Sequence, residues 1–204
     1  MSSPQDSDYP RRGNAFSRWL AGGFLRLAGW RVTNPMPAVP KAVIIGGPHT
    51  SNWDGIYTLA AMMQLGLDAH VMIKDSAFKG PFGAMLRWMG ALPIARHKAG
   101  GVVEQTVAQF NSRDKLVMVV APEGTRGGAT QWKTGFYRIA EQAGVPIVLA
   151  TADYRKKEIT FARVIEPCGD MEKDLAEIFE CYASIHPRHP DKLSAPLKAL
   201  RERR

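Results

Sequence analysis

A histidine and an aspartate, five positions apart, could form a proton-abstracting pair in this chain. His49 and Asp54 lie in the segment GGPHTSNWDG, residues 46–55. On one regular helix, side chains five positions apart would point about 140° away from each other. Ser51 is a good helix N-cap with Asp54 at the third helical position, so the helix can begin after His49. The two side chains can then meet, and Asp54 would orient His49 as a general base.

The same residues also fit a simple helix cap without catalytic chemistry. Ser51 and Asp54 would then only satisfy backbone groups at the start of the helix, and His49 would be incidental. The segment by itself leaves both interpretations open.

A second polar segment, APEGTRGG at residues 121–128, follows the apolar run 116–120. Ligands of open α/β sheets bind at the carboxyl ends of strands, where this segment would fall. Arg126 could hold a phosphate through two parallel hydrogen bonds, and the glycines around it would let the backbone approach that group. The alternative is a flexible glycine turn with a solvated arginine.

Two further cationic residues follow apolar runs. Lys74 comes after residues 71–73, and Arg96 closes the segment GALPIAR, residues 90–96. Each would lie at a strand end, although the second segment alone also fits a solvated basic loop.

From residue 41 onward, apolar runs of strand length alternate with helical stretches. Strands are predicted at 42–45, 69–73, 116–121, 146–151 and 159–164, and helices at 55–65, 81–89, 102–111, 136–143 and 170–182. The alternation indicates one α/β domain with a largely buried sheet, covering residues 41–204. The basic tail from residue 196 predicts a short exposed helix.

The first 40 residues differ in composition. Residues 1–13 are polar and predicted to be disordered, and the prolines of 33–40 indicate a linker. Residues 15–30 predict an amphipathic helix whose apolar face carries Phe16, Trp19, Leu20, Phe24, Leu27 and Trp30. This face suits a helix that lies on lipid, or one that covers the protein's own core.

Composition limits the setting of the protein and its partners. The 204 residues carry a net charge of +8, which favours membrane surfaces, phosphorylated substrates or nucleic acid without choosing among them. Cys168 and Cys181 fit no metal or redox spacing. No apolar run reaches the ~18 residues of a membrane-spanning helix. We therefore expect a cytoplasmic protein with reduced thiols.

Four segments in this order, HTSNWD, GALPIAR, PEGTR and VPIVLA, resemble the four sequence blocks of the glycerolipid acyltransferases. That family includes the 1-acyl-glycerol-3-phosphate (lysophosphatidate) acyltransferases, and the resemblance covers residues 41–150. It implies the fold of glycerol-3-phosphate-acyltransferase-like domains, an α/β fold with a mixed, largely parallel sheet flanked by helices. The amphipathic helix would precede that domain.

The resemblance also implies a role for each matching residue. His49 is expected to be the general base, and Asp54 the carboxylate that orients it. Arg126 would contact the phosphate of the acceptor directly. The complete set expected at the acceptor is Glu123, Gly124, Thr125, Arg126, Arg96 and Lys74.

Four positions depart from the family pattern: Pro48, Ala95, Gly127 and Leu149. They affect loop shape or acceptor recognition and remove no catalytic group. The resemblance therefore supports the reaction more strongly than the identity of the acceptor.

The implied reaction moves a fatty acyl group from acyl-CoA or acyl-carrier protein to a lysophosphatidate-like hydroxyl, with no metal and no bound cofactor. A lipid substrate implies peripheral attachment to the inner face of the membrane through the 15–30 helix. One alternative is a lyso-lipid acceptor without glycerol or phosphate. Another is a non-catalytic basic module for membranes or nucleic acid, although the basic residues do not alternate with aromatics as single-strand binders prefer.

Overall fold

The computed structural model describes residues 8–34, 36–81, 83–84, 90–94 and 101–204. Within them, one sheet has the strand order β1-β7-β6-β2-β5-β3-β4. The strands are β1 Arg31–Val32, β2 Lys41–Gly47, β3 Ala69–Lys74, β4 Leu92–Ile94, β5 Leu116–Val120, β6 Ile147–Asp153 and β7 Glu158–Ile165. All neighbouring pairs are parallel except β6 and β7, which are antiparallel.

Six α-helices lie in the described part of the chain. They are α1 Ala15–Leu27, α2 Asn52–Leu65, α3 Gly101–Asn111, α4 Gly135–Ala143, α5 Met171–Ala183 and α6 Ala195–Glu202. Short 3-10 turns lie at Asp75–Ala77 and Pro190–Lys192, and residues 80–81 and 83–84 are also helical.

The central strand β2 supplies both faces of the core. Val43 and Ile45 pack with residues of α3 to α6, whereas Ala42 and Ile44 pack with Met62 of α2. Alternate residues of a strand point to opposite faces, so helices on both sides bury the sheet. This explains why the strand appears in the sequence as a continuous apolar run.

The parallel arrangement brings three strand ends to one edge of the sheet. β2 lies between β5 and β6, with Ile45 in register with Val120 on one side and Leu149 on the other. The loops that follow these three strands therefore adjoin one another, and the segment with His49 lies in the middle.

The predicted fold class is confirmed, and each of the five predicted strands is present with ends shifted by a few residues. β1 and β4 were not predicted, because two or three residues show no recognisable periodicity. Most of the helix predicted at 81–89 lies outside the described residues. The predicted C-terminal helix is present as α6, but it is only partly exposed: Leu197 is fully buried, and Arg201 donates to the carbonyls of Ala183 and Ile185.

Residues 8–34 and 36–40 belong to the same packed fold as the rest of the described chain. Leu25 and Trp30 are buried beside Ala60 and Ala61 of α2, and β1 pairs with β7. Residues 8–13 also make contacts: Tyr9 is buried, although the sequence predicts disorder there.

The predicted apolar face of α1 divides between core and solvent. The helix ends at Leu27, and Gly29 turns the chain with φ +75°, so Trp30 points into the core. Trp19 and Leu27 are 69% and 93% exposed. The helix thus covers part of the core and also presents apolar residues outward. No helix of the described residues has the length and hydropathy needed to cross a bilayer.

Candidate active site

The end of β2 and the start of α2 create a short polar loop. The strand stops at Gly47, the Gly47–Pro48 peptide is cis, and α2 begins at Asn52. Ser51 is extended, with φ −148°, and its hydroxyl accepts the N–H of Trp53 at 3.2 Å. The predicted helix start is therefore confirmed, and it leaves His49 outside the helix.

His49 and Asp54 meet across this loop. Nδ1 of His49 lies 3.5 Å from Oδ2 of Asp54. The distance is long for a hydrogen bond, and such contacts often shorten when substrate binds. With Nδ1 facing the carboxylate, Nε2 is left to act on another molecule. The carboxylate that caps the helix is also the one beside the imidazole, so the two interpretations of the segment are compatible.

Asp54 is held as a carboxylate by several donors. Its Oδ2 accepts the N–H groups of Thr50 at 2.7 Å and Ser51 at 2.8 Å, and its Oδ1 accepts the hydroxyl of Tyr154 at 2.6 Å. Burial alone would raise the pKa of Asp54, but these bonds and the neighbouring His49 keep it below the usual 3.8. The group is therefore charged at neutral pH and can stabilise a protonated imidazole.

Tyr154 is a site residue that the sequence reasoning missed. It directly follows β6, the neighbour of β2, and so reaches Asp54 from 100 positions away. Burial and the negative charge of Asp54 raise the pKa of Tyr154 against the opposing charge of Arg188, so the hydroxyl stays a donor. The sequence feature that could have identified Tyr154 is its position just beyond a predicted buried strand, at the edge of the sheet that holds the other site residues.

Glu123 lies on the turn after β5, on the other side of β2. Gly124 adopts φ +66°, a conformation that glycine reaches without a Cβ penalty, and its N–H closes the turn onto Ala121. The side chain of Glu123 is 4% exposed, and its Oε2 accepts the backbone N–H of His49 at 2.9 Å. The carboxyl group therefore holds the backbone of the candidate base and does not project toward solvent.

The second oxygen of Glu123 has no hydrogen-bond partner within the described structure. Burial, assisted by the charge of Asp54, raises the pKa of Glu123 to about 7, while the bond from the His49 N–H opposes that rise. Glu123 is consequently a buried carboxyl that changes charge near neutral pH.

The structure describes the remaining predicted site residues to different extents. Thr125 and Arg126 are exposed on the loop beyond Glu123, and the hydroxyl of Thr125 accepts the N–H of Gly127 at 3.2 Å. Lys74 ends β3 in register with Ile94, but its side chain lies outside the described part. Arg96 lies outside the described residues altogether. The structure thus joins His49, Asp54 and Glu123, with Arg126 on the adjoining loop.

A cavity of about 360 Å³ opens beside the same loop. Val71, Val120 and Phe136 contribute to its largely apolar lining, and Gly124 and Lys133 also line it. Such a surface is better suited to a hydrocarbon chain than to a strongly polar group. Within the described residues, no cluster of three or more acidic, histidine or cysteine side chains could hold a metal ion.

Known proteins resemble this chain in sequence and in fold. The sequence pattern of the family described as Acyltransferase matches residues 29–151. The chain is 30% identical over 176 residues to a 1-acyl-sn-glycerol-3-phosphate acyltransferase of Haemophilus influenzae, covering 80% of this chain and 68% of that protein.

The fold is similar to the crystal structure of the 1-acyl-sn-glycerophosphate (LPA) acyltransferase PlsC from Thermotoga maritima. The TM-score is 0.58 with 14% identity, and the match covers 82% of this chain and 75% of that chain. The range matched by the family pattern contains His49, Asp54 and the Glu123 loop, and it ends three residues before Tyr154.

Proposed function

This chain belongs to the acyltransferase family, and on that premise we propose that it acylates the hydroxyl of a lysophosphatidate-like lipid. The observation that most supports this proposal is the pairing of the partly exposed His49 with the buried, charged carboxylate of Asp54 at the edge of the sheet. The name of the Haemophilus influenzae relative supports a phosphorylated lyso-lipid as the acceptor. Membership of an enzyme family argues against the alternative of a non-catalytic binding module.

His49 acts as a general base in the proposed reaction. Its Nε2 takes the hydroxyl proton of the acceptor as the oxygen attacks the thioester carbonyl carbon. The new C–O bond forms, the C–S bond breaks, and the imidazolium returns the proton to the departing thiolate. General-base help of this kind contributes about 10²- to 10⁴-fold in rate. No acyl-enzyme is needed, because the acceptor itself is the nucleophile.

Asp54, Glu123 and Tyr154 are positioning residues in this proposal. The charge of Asp54 stabilises the imidazolium that forms on His49. Glu123 fixes the backbone of the base from one side, and Tyr154 fixes the carboxylate from the other. The imidazole is thereby prepared before substrate arrives, which lowers the cost of orienting it.

The exposed loop after Glu123 is the proposed acceptor-binding element. Gly124, Thr125 and Arg126 match the acceptor block of the family resemblance, and the guanidinium of Arg126 can bind a phosphate bidentately. Lys74 and Arg96 are proposed as further acceptor contacts on the resemblance alone. The donor is acyl-CoA or acyl-carrier protein, and the proposed reaction uses neither a metal nor a bound cofactor.

A panel of acceptors tests the proposed function. The purified protein is given acyl-CoA or acyl-carrier protein together with lysophosphatidate, a monoacylglycerol or an amino-acid lyso-lipid. Thiol release gives the rate, and mass spectrometry identifies the acylated product. We expect the highest kcat/KM with lysophosphatidate. Faster acylation of a lipid without phosphate would contradict that acceptor and favour the alternative lyso-lipids.

We further propose that the protein attaches peripherally to the inner face of the cytoplasmic membrane. The support is an apolar surface formed by Phe16, Trp19, Leu20, Phe24 and Leu27 of α1 and by Trp53, Ile56, Leu59 and Met63 of α2. Tyr57 stacks on both Phe24 and Trp53, so the two parts are continuous. Contiguous exposed apolar residues of this kind mark membrane or protein contact sites.

Two substitutions on this apolar surface test membrane attachment. Truncating the chain before β1 would remove the buried Leu25 and Trp30 and damage the core, so point changes are preferable. Trp19→Ser with Leu27→Ser should abolish co-flotation with anionic vesicles, while the melting temperature remains near that of the wild type. Val164→Ser, at an exposed valine of β7, is the control. Undiminished flotation of the double variant would remove α1 from the account.

A further inference from the structure

Arg188 lies beside the proposed dyad. It falls outside residues 29–151, the range that the family pattern matches, and no sequence motif identified it as a site residue. Its guanidinium carbon sits 5.6 Å from the ring centre of Trp53 and 6.0 Å from that of Tyr154. Trp53 precedes Asp54 in the chain, and Tyr154 donates to Asp54. The cation is thus stacked on the two aromatic rings that flank the carboxylate of the dyad.

The backbone on both sides of Arg188 is tied to the site. The carbonyl of His186 accepts the N–H of Tyr154 at 2.9 Å. The N–H of His189 donates to the hydroxyl of the fully buried Thr50 at 3.2 Å. Because these bonds flank Arg188 in the chain, its position over the rings is set by the fold and not by a free tail.

The guanidinium interacts with the hydroxyl of Tyr154 and keeps further N–H donors for a ligand. Arg188 is exposed, and within the described ranges no carboxylate lies at ion-pair distance from it. Asp54, which Tyr154 links to Arg188, already accepts three hydrogen bonds from Thr50, Ser51 and Tyr154. A stacked arginine keeps donors at its edge for an oxyanion.

The surroundings of Arg188 match an amphipathic anion. Trp53 is 41% exposed and forms the end of the apolar surface nearest the dyad. A hydrocarbon chain lying on that surface would place a polar headgroup near Trp53, the ring on which Arg188 is stacked. In a lysophosphatidate the phosphate is on the carbon next to the one bearing the reacting hydroxyl. The nearest phosphate of an acyl-CoA lies much farther from its reacting carbonyl, at the distant end of the pantetheine arm.

We propose that Arg188 binds the phosphate of the lyso-lipid acceptor, from the side of the dyad opposite the Glu123 loop. This inference rests on the proposed function. β5 and β6 flank β2 on opposite sides. Arg126 is on the loop after β5, whereas Arg188 lies over Tyr154, the residue that follows β6. The two arginines therefore approach the site from different directions. A phosphomonoester has three acceptor oxygens and nearly two negative charges, which two arginines can share.

Steady-state kinetics of Arg188→Gln test the proposal. We expect KM for lysophosphatidate to rise about 10-fold or more, with kcat and the KM for acyl-CoA close to wild type. Arg188→Lys should recover only part of the loss, because lysine keeps the charge but not the planar fork. Arg113→Gln, which removes a cation at the opposite edge of the sheet, is the matched control. An unchanged acceptor KM would overturn the proposal, as would an effect on the acyl-CoA KM alone.

A binding measurement separates this inference from the proposed reaction. Short-chain lysophosphatidate, kept below its micelle concentration, is titrated calorimetrically into His49→Ala and into His49→Ala with Arg188→Gln. The second protein should bind about 10-fold more weakly. Equal affinities would contradict the role of Arg188 even if the enzyme acylates lysophosphatidate. If the wild type does not acylate it, the proposed function fails and the titration still decides the binding site. If Arg188→Gln abolishes flotation with anionic vesicles but leaves the affinity for lysophosphatidate unchanged, Arg188 binds bilayer headgroups and the proposal is overturned.

Discussion

Replacing Glu123 with glutamine should change how the stability of this protein depends on pH. The carboxyl group of Glu123 is buried at 4% exposure, and one of its oxygens lacks a partner within the described structure. Glutamine has the same shape, and its amide oxygen can still accept the N–H of His49. The variant therefore keeps the contact and removes the ionisation.

The size of the effect follows from the raised pKa. The pKa of Glu123 moves from 4.5 to about 7 on folding. Because the folded pKa is the higher one, the native state holds the proton more tightly than the unfolded state. The resulting stabilisation is complete below pH 4.5 and is lost as pH rises through about 7. At ~1.4 kcal/mol per pH unit, the free energy of unfolding contributed by this group falls by ~3 kcal/mol across that interval.

Urea unfolding of the wild type and Glu123→Gln, from about pH 4 to about pH 8, measures this contribution. The other titrating groups largely cancel in the difference between the two proteins. We expect the stability of the variant relative to wild type to rise by ~3 kcal/mol as pH increases over this range. Glu166→Gln, at an exposed glutamate, is the matched control.

Parallel stability curves for the wild type and Glu123→Gln would refute the reasoning. They would mean that Glu123 ionises as readily in the native state as in the unfolded chain, so that it is not the dry carboxyl held against the His49 backbone. A difference that falls with rising pH would refute it more strongly, because the native state would then favour the charged form.

Three further variants test other contacts. Tyr154→Phe removes the 2.6 Å hydrogen bond to Asp54 and should cost ~1.5–3 kcal/mol of unfolding free energy near pH 7. Because the folded pKa of Asp54 is lowered, this cost should shrink as pH falls below 3.8, and a cost independent of pH would assign it to lost packing. Arg126→Ala should raise the acceptor KM with little change in kcat, and an unchanged KM would remove Arg126 from the acceptor site. Leu197→Ala should lower the unfolding free energy by ~2–5 kcal/mol, because the residue is 0% exposed. A neutral result in urea unfolding would mean that α6 does not pack on the core.

The sequence predicted those parts of the fold and site that depend on local patterns. Largely apolar runs of four to six residues predicted the long strands, and Ser51 with Asp54 predicted the start of α2, because periodicity and capping are local. β1 and β4 are too short for such a pattern. Their place in the sheet is set by pairing with strands distant in the chain.

The site residues show the same division. His49 and Asp54 were found because their spacing and the helix cap are visible within ten residues. Tyr154 and Arg188 reach the dyad through the order of strands and through the packing of the segment after α5. The position of Glu123 was visible, but its burial beneath His49 was not, because burial depends on neighbouring strands.

The central claim is that His49, oriented by Asp54, removes the proton of the acceptor hydroxyl. Its most direct test is single-turnover acyl transfer to lysophosphatidate, comparing wild type with His49→Ala at saturating acceptor. The account predicts a rate lower by about 10²- to 10⁴-fold, with unchanged circular dichroism and acceptor affinity. A His49→Ala protein that transfers the acyl group at the wild-type rate would contradict it.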